Sequence, residues 1–131
     1  MPCVFCEQPW TTGEILVETR AGTVILHNDW AVRGHTMIVS KRHVENLSDL
    51  GDSEAAELLQ LARSVEDLLL EQTGADRAIL MKLGIQTPHL HLHIYPVSSS
   101  LDRTAVMRII DAKTQVPVDD QFVRILRDRL G

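Results

Sequence analysis

Three histidines alternate with apolar residues in segment 89–95, which reads His-Leu-His-Leu-His-Ile-Tyr. In a β-strand, successive side chains point to opposite faces, so the three imidazoles are predicted to share one face. The exposed face of an ordinary edge strand explains one histidine in such a place more readily than three. Neutral imidazole acts near pH 7 as a nucleophile, a proton carrier or a metal ligand. This segment is therefore the first candidate for chemistry.

Strand spacing argues against one metal ion bound by all three histidines. Each step of two residues advances about 6.6 Å, so the outer backbone positions lie roughly 13 Å apart. Zinc–nitrogen bonds are only about 2 Å long. We therefore expect one end of the row to join a metal site and the rest to face a substrate. The alternative is an open hydrolytic zinc site with His89, His91 and an upstream histidine as ligands.

Two cysteines near the amino terminus, Cys3 and Cys6, are separated by two residues, a spacing at which neighbouring thiolates bind one zinc ion. Taken alone, they could equally be a redox pair or two buried thiols. His43, just past a predicted strand, and His89 would complete a tetrahedral site of two sulfurs and two nitrogens. Because all four positions are then filled, we expect this zinc to be structural and catalysis to belong to the other histidines.

The composition of the 131-residue chain limits its partners. Thirteen Lys and Arg against eighteen Asp and Glu give a net charge of −5, which argues against a protein that coats nucleic acid or an anionic membrane. No apolar run approaches the roughly 20 residues that span a bilayer. The amino terminus lacks the pattern of a secretion signal. We expect one cytoplasmic domain over residues 1–131.

Hydrophobic periodicity predicts the elements that position these residues. We expect an α+β domain with about five antiparallel strands, a long central helix on one side, and the histidine face turned to a cleft. Gly34 directly before His35 would let the backbone approach another element closely. Residues 98–100, three serines, are expected to form a mobile loop. The predicted strands are 15–18, 23–27, 36–39, 77–83 and 88–95, and the predicted helices are 53–73 and 120–130.

The histidine row is similar to the signature of the histidine-triad (HIT) family, in which histidines alternate with apolar residues and two further apolar residues follow. Segment 33–43, Arg-Gly-His-Thr-Met-Ile-Val-Ser-Lys-Arg-His, resembles the upstream block of that family, a Gly-His followed by an apolar strand and a Lys-x-His. The predicted central helix lies between the two blocks, as it does in the family. The resemblance covers about residues 3–97 and leaves the tail, 98–131, without a counterpart.

This resemblance implies nucleotide-phosphate chemistry. In the family, the middle histidine attacks the α-phosphorus of a nucleotide, and water or another phosphate then releases the nucleotide from the covalent intermediate. His91 matches that nucleophile, and His93 matches the histidine that contacts the phosphate and the bridging oxygen, where its protonated form could neutralise charge. His35 matches an upstream histidine near the same pocket. Cys3, Cys6, His43 and His89 resemble the zinc site of metal-containing branches and of the related galactose-phosphate uridylyltransferases.

The implied substrate is a dinucleoside polyphosphate, a nucleoside phosphoramidate or a similar nucleotide, cleaved by a hydrolase or a nucleotidyl transferase. Gln86 and Thr87 could hold phosphate oxygens, although ordinary loop polarity explains them equally well. Asn28 or Asp29 could bind ribose hydroxyls, and either could instead cap a turn. Family members commonly form two-fold dimers, so a homodimer is expected.

Two positions depart from the pattern of the family. Val97 stands after Pro96 where many relatives have Arg, and Ser40 stands before Lys41 where Pro is usual. A contact to the phosphate or to the leaving group would then be missing. The alternative function is therefore a zinc-stabilised module for nucleotide binding or protein interaction, with little catalytic turnover.

Overall fold

The computed structural model describes residues 3–131. Its centre is one antiparallel sheet of five strands in the order β1-β2-β3-β5-β4, which confirms the predicted α+β architecture. The strands are β1 (Gly13–Glu18), β2 (Gly22–His27), β3 (Thr36–Ser40), β4 (Arg77–Met81) and β5 (His91–Val97). The helices are α1 (Val4–Glu7), α2 (Asp52–Thr73), α3 (Arg103–Ile110) and α4 (Asp120–Leu130), with short 3₁₀ turns at Pro9–Thr11 and Leu47–Asp49.

The pairing of β3 with β5 brings the two sequence blocks together. Met37 lies opposite His93, and Val39 lies opposite His91. The upstream block, with His35 just before β3, is therefore adjacent to the histidine row even though more than 50 residues separate them in the chain. Strand pairing thus assembles the site from two distant segments.

The main core lies between one face of the sheet and the long helix α2. Apolar side chains from alternate strand positions meet the apolar stripe of α2, as its periodicity predicts. The tail joins this core, because side chains of α4 are buried in the same cluster. Its central members are Val24, Ile38, Leu92 and Ile94 from the sheet, Leu58, Val65 and Leu69 from α2, and Phe122 and Leu126 from α4.

Strand β5 differs from the predicted strand 88–95 at both ends. It begins at His91, because Leu90 bonds outside the ladder: its N–H donates to the carbonyl of Val44 at 2.6 Å. At the other end β5 continues through Pro96, which pairs with Ala78 of β4. The prediction that His89 lies within the strand is therefore wrong. His89 leaves the row and lies in the loop that leads into β5.

The tail is more ordered than the sequence indicates. Helix α3, which was not predicted, begins after Asp102, whose carboxylate accepts a hydrogen bond from the Ala105 amide at 2.8 Å. Its Ile109 packs on the opposite face of the sheet from α2, against Tyr95 and Val97. The predicted mobile loop is bonded to Asp76, which accepts from the Ser99 amide at 2.7 Å. Among residues 3–131, no helix combines the length and hydropathy that a bilayer-crossing segment needs.

Candidate active site and metal centre

Four side chains from three distant segments converge beside the sheet. Cys6 lies on helix α1 and Cys3 directly precedes that helix. His43 lies in the loop after β3, and His89 lies in the loop that leads into β5. One ligand atom of each lies within 4.8 Å of the others. The two histidine Nδ1 atoms are 3.0 Å apart, and Cys3 Sγ lies 3.4 Å from the Nδ1 of His89. Ligands of a tetrahedral zinc ion are about 3.3–3.8 Å apart, so these residues fit such an ion.

The orientation of His89 also suits metal binding. Its Nε2 donates to the carbonyl of Ser40 at 2.8 Å, which places the proton on Nε2 and leaves the Nδ1 lone pair for the cluster. Burial lowers the pKa of His89, which favours the neutral ring that metal binding requires. No other group of three or more His, Cys, Asp or Glu converges in this way within residues 3–131. The geometry therefore favours the closed site over the open hydrolytic one.

His91 lies beside the metal centre and faces a different space. Its Nδ1 is 2.7 Å from the carbonyl of His89, so Nδ1–H donates to that oxygen. The lone pair is then on Nε2, the nitrogen that is free to attack. The ring of Phe5, a residue between the two cysteines, packs against the His91 imidazole at 4.8 Å between centroids. Both contacts restrict the orientation of the imidazole.

His93 and His35 form a directly bonded pair. Nε2 of His35 lies 2.9 Å from Nδ1 of His93. Burial lowers the pKa of His35 to about 3 and the pKa of His93 to about 4. Both rings are therefore neutral at pH 7 in the ligand-free protein. A protonated His93, expected from its role beside a phosphate, is therefore opposed by burial.

Gly34 fixes the position of His35. Its φ is +89°, a left-handed conformation that favours glycine, and an added Cβ would meet Pro96 Cγ at 3.2 Å and Leu69 Cδ2 at 3.3 Å. The predicted close approach of the backbone at Gly34 is confirmed. The turn packs between β5 and α2 and directs His35 back over the sheet.

One functional candidate, His27, was missed by sequence reasoning. It ends β2, and its ring stacks on His35 with centroids 4.5 Å apart and planes 14° apart. The available signal was a polar residue that closes the apolar run of β2 just before an irregular loop. With His27 included, the six histidines of the chain divide between two neighbouring sites. His43 and His89 belong to the metal cluster, and His27, His35, His91 and His93 line the cavity.

The cavity has a volume of about 590 Å³ and opens on the histidine face of the sheet. None of its lining residues within the described chain is Lys or Arg. Its far wall is residues 109–112, at the end of α3, so the tail contributes to the site although the resemblance did not reach it. The cavity also brings together the four predicted substrate-binding residues, Asn28, Asp29, Gln86 and Thr87.

Local structure bears on one predicted contact, at Asn28, and on one departure from the family pattern, at Val97. The side-chain NH₂ group of Asn28 donates to the Thr11 carbonyl at 2.8 Å. This NH₂ group therefore connects two loops, and only the side-chain oxygen remains for the predicted ribose contact. Val97, the position where many relatives have Arg, is 3% exposed and packs beside Tyr95 and Ile109. Its side chain therefore occupies an apolar cluster and does not line the cavity.

A model of the HIT domain matches residues 10–99. An uncharacterized HIT-like protein of Mycobacterium tuberculosis is 27% identical over the whole chain and 94% of its own length. The nitrilase and fragile histidine triad fusion protein NitFhit of Caenorhabditis elegans is 32% identical over 68 residues, which are 48% of this chain and 16% of that protein. The chain thus spans a small part of one relative and nearly all of the other.

Solved structures agree with this fold. A histidine triad protein from Sinorhizobium meliloti superposes with a TM-score of 0.76 at 20% identity, over 95% of this chain and 91% of the other. One from Bradyrhizobium japonicum gives a TM-score of 0.73 at 19% identity, over 95% and 96%. The domain match covers more than half of the chain and includes the histidine row. The chain belongs to the HIT family.

Proposed function

We propose that the chain cleaves nucleotides at the α-phosphorus through a covalent nucleotidyl-histidine on His91. The observation that carries this proposal is the hydrogen bond from His91 Nδ1 to the carbonyl of His89, at 2.7 Å. It leaves the nucleophilic lone pair on Nε2, in a ring that lines a cavity of about 590 Å³. That volume lies in the range of small-molecule sites.

In the first step, Nε2 of His91 forms a bond to the α-phosphorus. The bond from phosphorus to the leaving group breaks, and its electron pair goes to the departing oxygen or nitrogen. In the second step, a water molecule or a second phosphate forms the new bond to phosphorus, and the phosphorus–nitrogen bond breaks with its pair returning to Nε2. Imidazole is both a good nucleophile and a good leaving group, so it divides one difficult displacement into two easier ones.

We assign proton transfer to the pair formed by His35 and His93. The negative charge of a bound phosphate would raise the pKa of His93, so that this ring takes up a proton together with the substrate. Its Nδ1–H would then donate to His35 Nε2, and its Nε2–H would give its proton to the departing atom, which leaves His93 neutral again. A positioned general acid accelerates such a step by roughly 10²- to 10⁴-fold. The 2.9 Å contact between the two rings supports this role.

The proposed substrate is a dinucleoside polyphosphate or a nucleoside phosphoramidate. Gln86 and Thr87, in the loop before β5, line the cavity, and we propose that they hold phosphate oxygens. Asp29, together with the free amide oxygen of Asn28, is proposed to bind ribose. The chain would work in the cytoplasm, since a cysteine pair that serves as a metal site is typical of a reducing compartment. It would also form a homodimer, the commonest arrangement among soluble oligomers.

The proposed metal is a structural zinc ion held by Cys3, Cys6, His43 and His89. Bound there, it supplies a cross-link between α1, the loop after β3 and the segment before β5. No position would remain for an activated water. The chain's own residues then carry all steps of the reaction.

A binding module with little turnover is the second candidate. The absence of Lys and Arg from the described cavity wall favours it, because no permanent cation is available to stabilise charge at phosphorus. The buried Val97 removes the most obvious source of such a cation.

The test is to incubate the zinc-loaded chain with α-³²P-labelled dinucleoside polyphosphate or nucleoside phosphoramidate and to quench in alkali. We expect acid-labile label on the native chain and at least a 10³-fold slower reaction with His91→Ala. Arg124→Ala, on the exposed side of α4, is the matched control and should label normally. Binding without label or product from either compound would support the module instead.

A further inference from the structure

His27 belongs to a column of three parallel rings on the cavity wall. Its imidazole stacks on His35 at 4.5 Å, and His35 stacks in turn on Tyr95 at 4.2 Å with planes 21° apart. The middle ring is therefore covered on both faces. His27 is half-buried, whereas His35 is only 4% exposed. Both rings line the cavity, and the outer ring is the more exposed of the two.

The backbone holds the outer ring of this column in place. Nδ1 of His27 lies 3.0 Å from the Asp29 amide and 3.1 Å from the Asp29 carbonyl. The His27 amide donates to the carbonyl of His35 at 3.0 Å. The loop between β2 and β3 thus fixes both the ring and its distance from His35.

His35 itself has few other restraints. Its Nδ1 is buried and has no hydrogen-bond partner, so Nε2 is the only ring atom that is bonded, to His93. A ring held at one atom is free to tilt unless its faces are covered. The two stacked neighbours provide this cover, and they determine where Nε2 points.

We propose that His27 is a positioning residue that holds His35 against Tyr95 and keeps the His35 Nε2 directed at His93. This role rests on the proposed function, because it acts through the pair that handles the proton. This role requires the flat ring of His27. It does not require a hydrogen bond from the ring nitrogen Nε2.

The pKa of His35 provides a measurement of this role, because it depends on the groups that surround the ring. Burial is the main cause of its low pKa, and His27 and His93 add repulsion when protonated. The other titratable groups near it are Tyr95 on β5, stacked on its ring, and Asp29 on the loop before β3. His91 on β5 and Asp111 after α3 line the same cavity. Removing the His27 ring would admit water to one face of His35 and raise its pKa.

The experiment compares His27→Ala with His27→Phe in the full zinc-loaded chain. Phenylalanine keeps a flat ring in the column and removes both nitrogens. In ¹⁵N-resolved NMR titrations, we expect His27→Ala to raise the pKa of His35 by about one pH unit or more, while His27→Phe, which removes only the repulsion from His27, raises it clearly less. The rate of labelling of His91 at pH 7 should fall in the alanine variant and stay near the native rate in the phenylalanine variant.

Two results would overturn the proposal: an unchanged His35 pKa in His27→Ala, or equal shifts in the two variants. If the alanine variant fails to fold, His27→Asn removes the same ring with a smaller loss of volume and carries the same expectation. A native chain that never labels would refute the proposed function alone, because the titration of His35 is read without turnover. Normal native labelling with no difference between the variants would refute only the role of His27.

Discussion

His89 and His91 are two residues apart and leave opposite ring nitrogens free. His89 donates from Nε2 to Ser40 and presents Nδ1 to the metal cluster, whereas His91 donates from Nδ1 to His89 and presents Nε2 to the cavity. Both tautomers are set by backbone carbonyls. Sequence spacing places these residues near each other, but it does not show which carbonyl each ring meets. At this scale, function depends on hydrogen bonds that only the fold reveals.

Buried neutral histidines predict that stability falls as the solution becomes acidic. The pKa values of His35 and His93 are about 3 and about 4 in the folded chain, below the value of about 6.5 in the unfolded chain. Between those limits the unfolded state binds more protons, so stability is complete above pH 6.5 and is lost as pH decreases. We expect a loss of order 1 kcal/mol per pH unit for each histidine.

Thermal unfolding measured from pH 7.5 to 4.5 checks this expectation. His35→Phe, which keeps a ring and removes one titratable group, should show a smaller decrease in melting temperature over the same range. A pH dependence that is identical in the variant and the native chain would mean that His35 is not kept neutral by burial.

At the scale of elements, the short helix α1 connects the metal centre to the nucleophile. It carries Cys6 and follows directly after Cys3, and Phe5 between the two cysteines packs against the rings of His89 and His91. The other side of Phe5 joins a small cluster with Ile25 and Met37 of the sheet. Four residues of helix therefore need the cross-link and this apolar contact to stay in place, because so short a helix is not stable alone.

We predict that the chain binds one zinc ion and that Cys6→Ser weakens its binding. Loss of the ion should lower the melting temperature and slow the labelling of His91, since the His89 carbonyl that orients His91 belongs to a ligand residue. Metal content by atomic emission and thermal unfolding are the measurements. Glu7→Ala, an exposed neighbour on α1, is the control and should retain zinc. Full zinc content in Cys6→Ser would contradict the four-ligand site.

Helix α3 gives a second prediction at this scale. Ile109 is buried against Tyr95 and Val97, and Met107 on the same helix is 40% exposed. Ile109→Ala should cost about 2–4 kcal/mol of unfolding free energy, whereas Met107→Ala should cost well under 1 kcal/mol. Urea denaturation of the two variants measures the difference. Equal values would show that α3 does not dock on the sheet in solution.

At the scale of the whole molecule, the sequence predicts the sheet, the central helix and α4, because each has clear apolar periodicity. It also predicts the cysteine–histidine cluster, since its ligand types and spacings are distinctive. The start of β5 at His91 was not predictable, because Leu90 bonds to Val44, a partner distant in the chain. Neither His27 nor α3 carried a strong local signal: their roles arise from stacking and packing between distant segments.

The two edges of the sheet suggest how a homodimer would form. At one edge, α4 packs against β1, and Arg127 of α4 is paired with Glu14 of β1 at 2.6 Å. At the other edge, β4 carries Leu80, which is 44% exposed. An uncovered strand presents free amide and carbonyl groups, which can pair with a second copy of the same strand. We therefore expect the proposed dimer to use β4.

Sedimentation or light scattering at micromolar concentration tests this arrangement. Leu80→Lys places a charge at the edge and should convert the dimer to a monomer, because two copies would bring like charges together across the two-fold axis. Val118→Lys, at a residue 57% exposed in the segment before α4, adds the same charge away from this edge and should leave the dimer intact. A native monomer would exclude the dimer, and a dimer that survives Leu80→Lys would place its interface elsewhere than at β4.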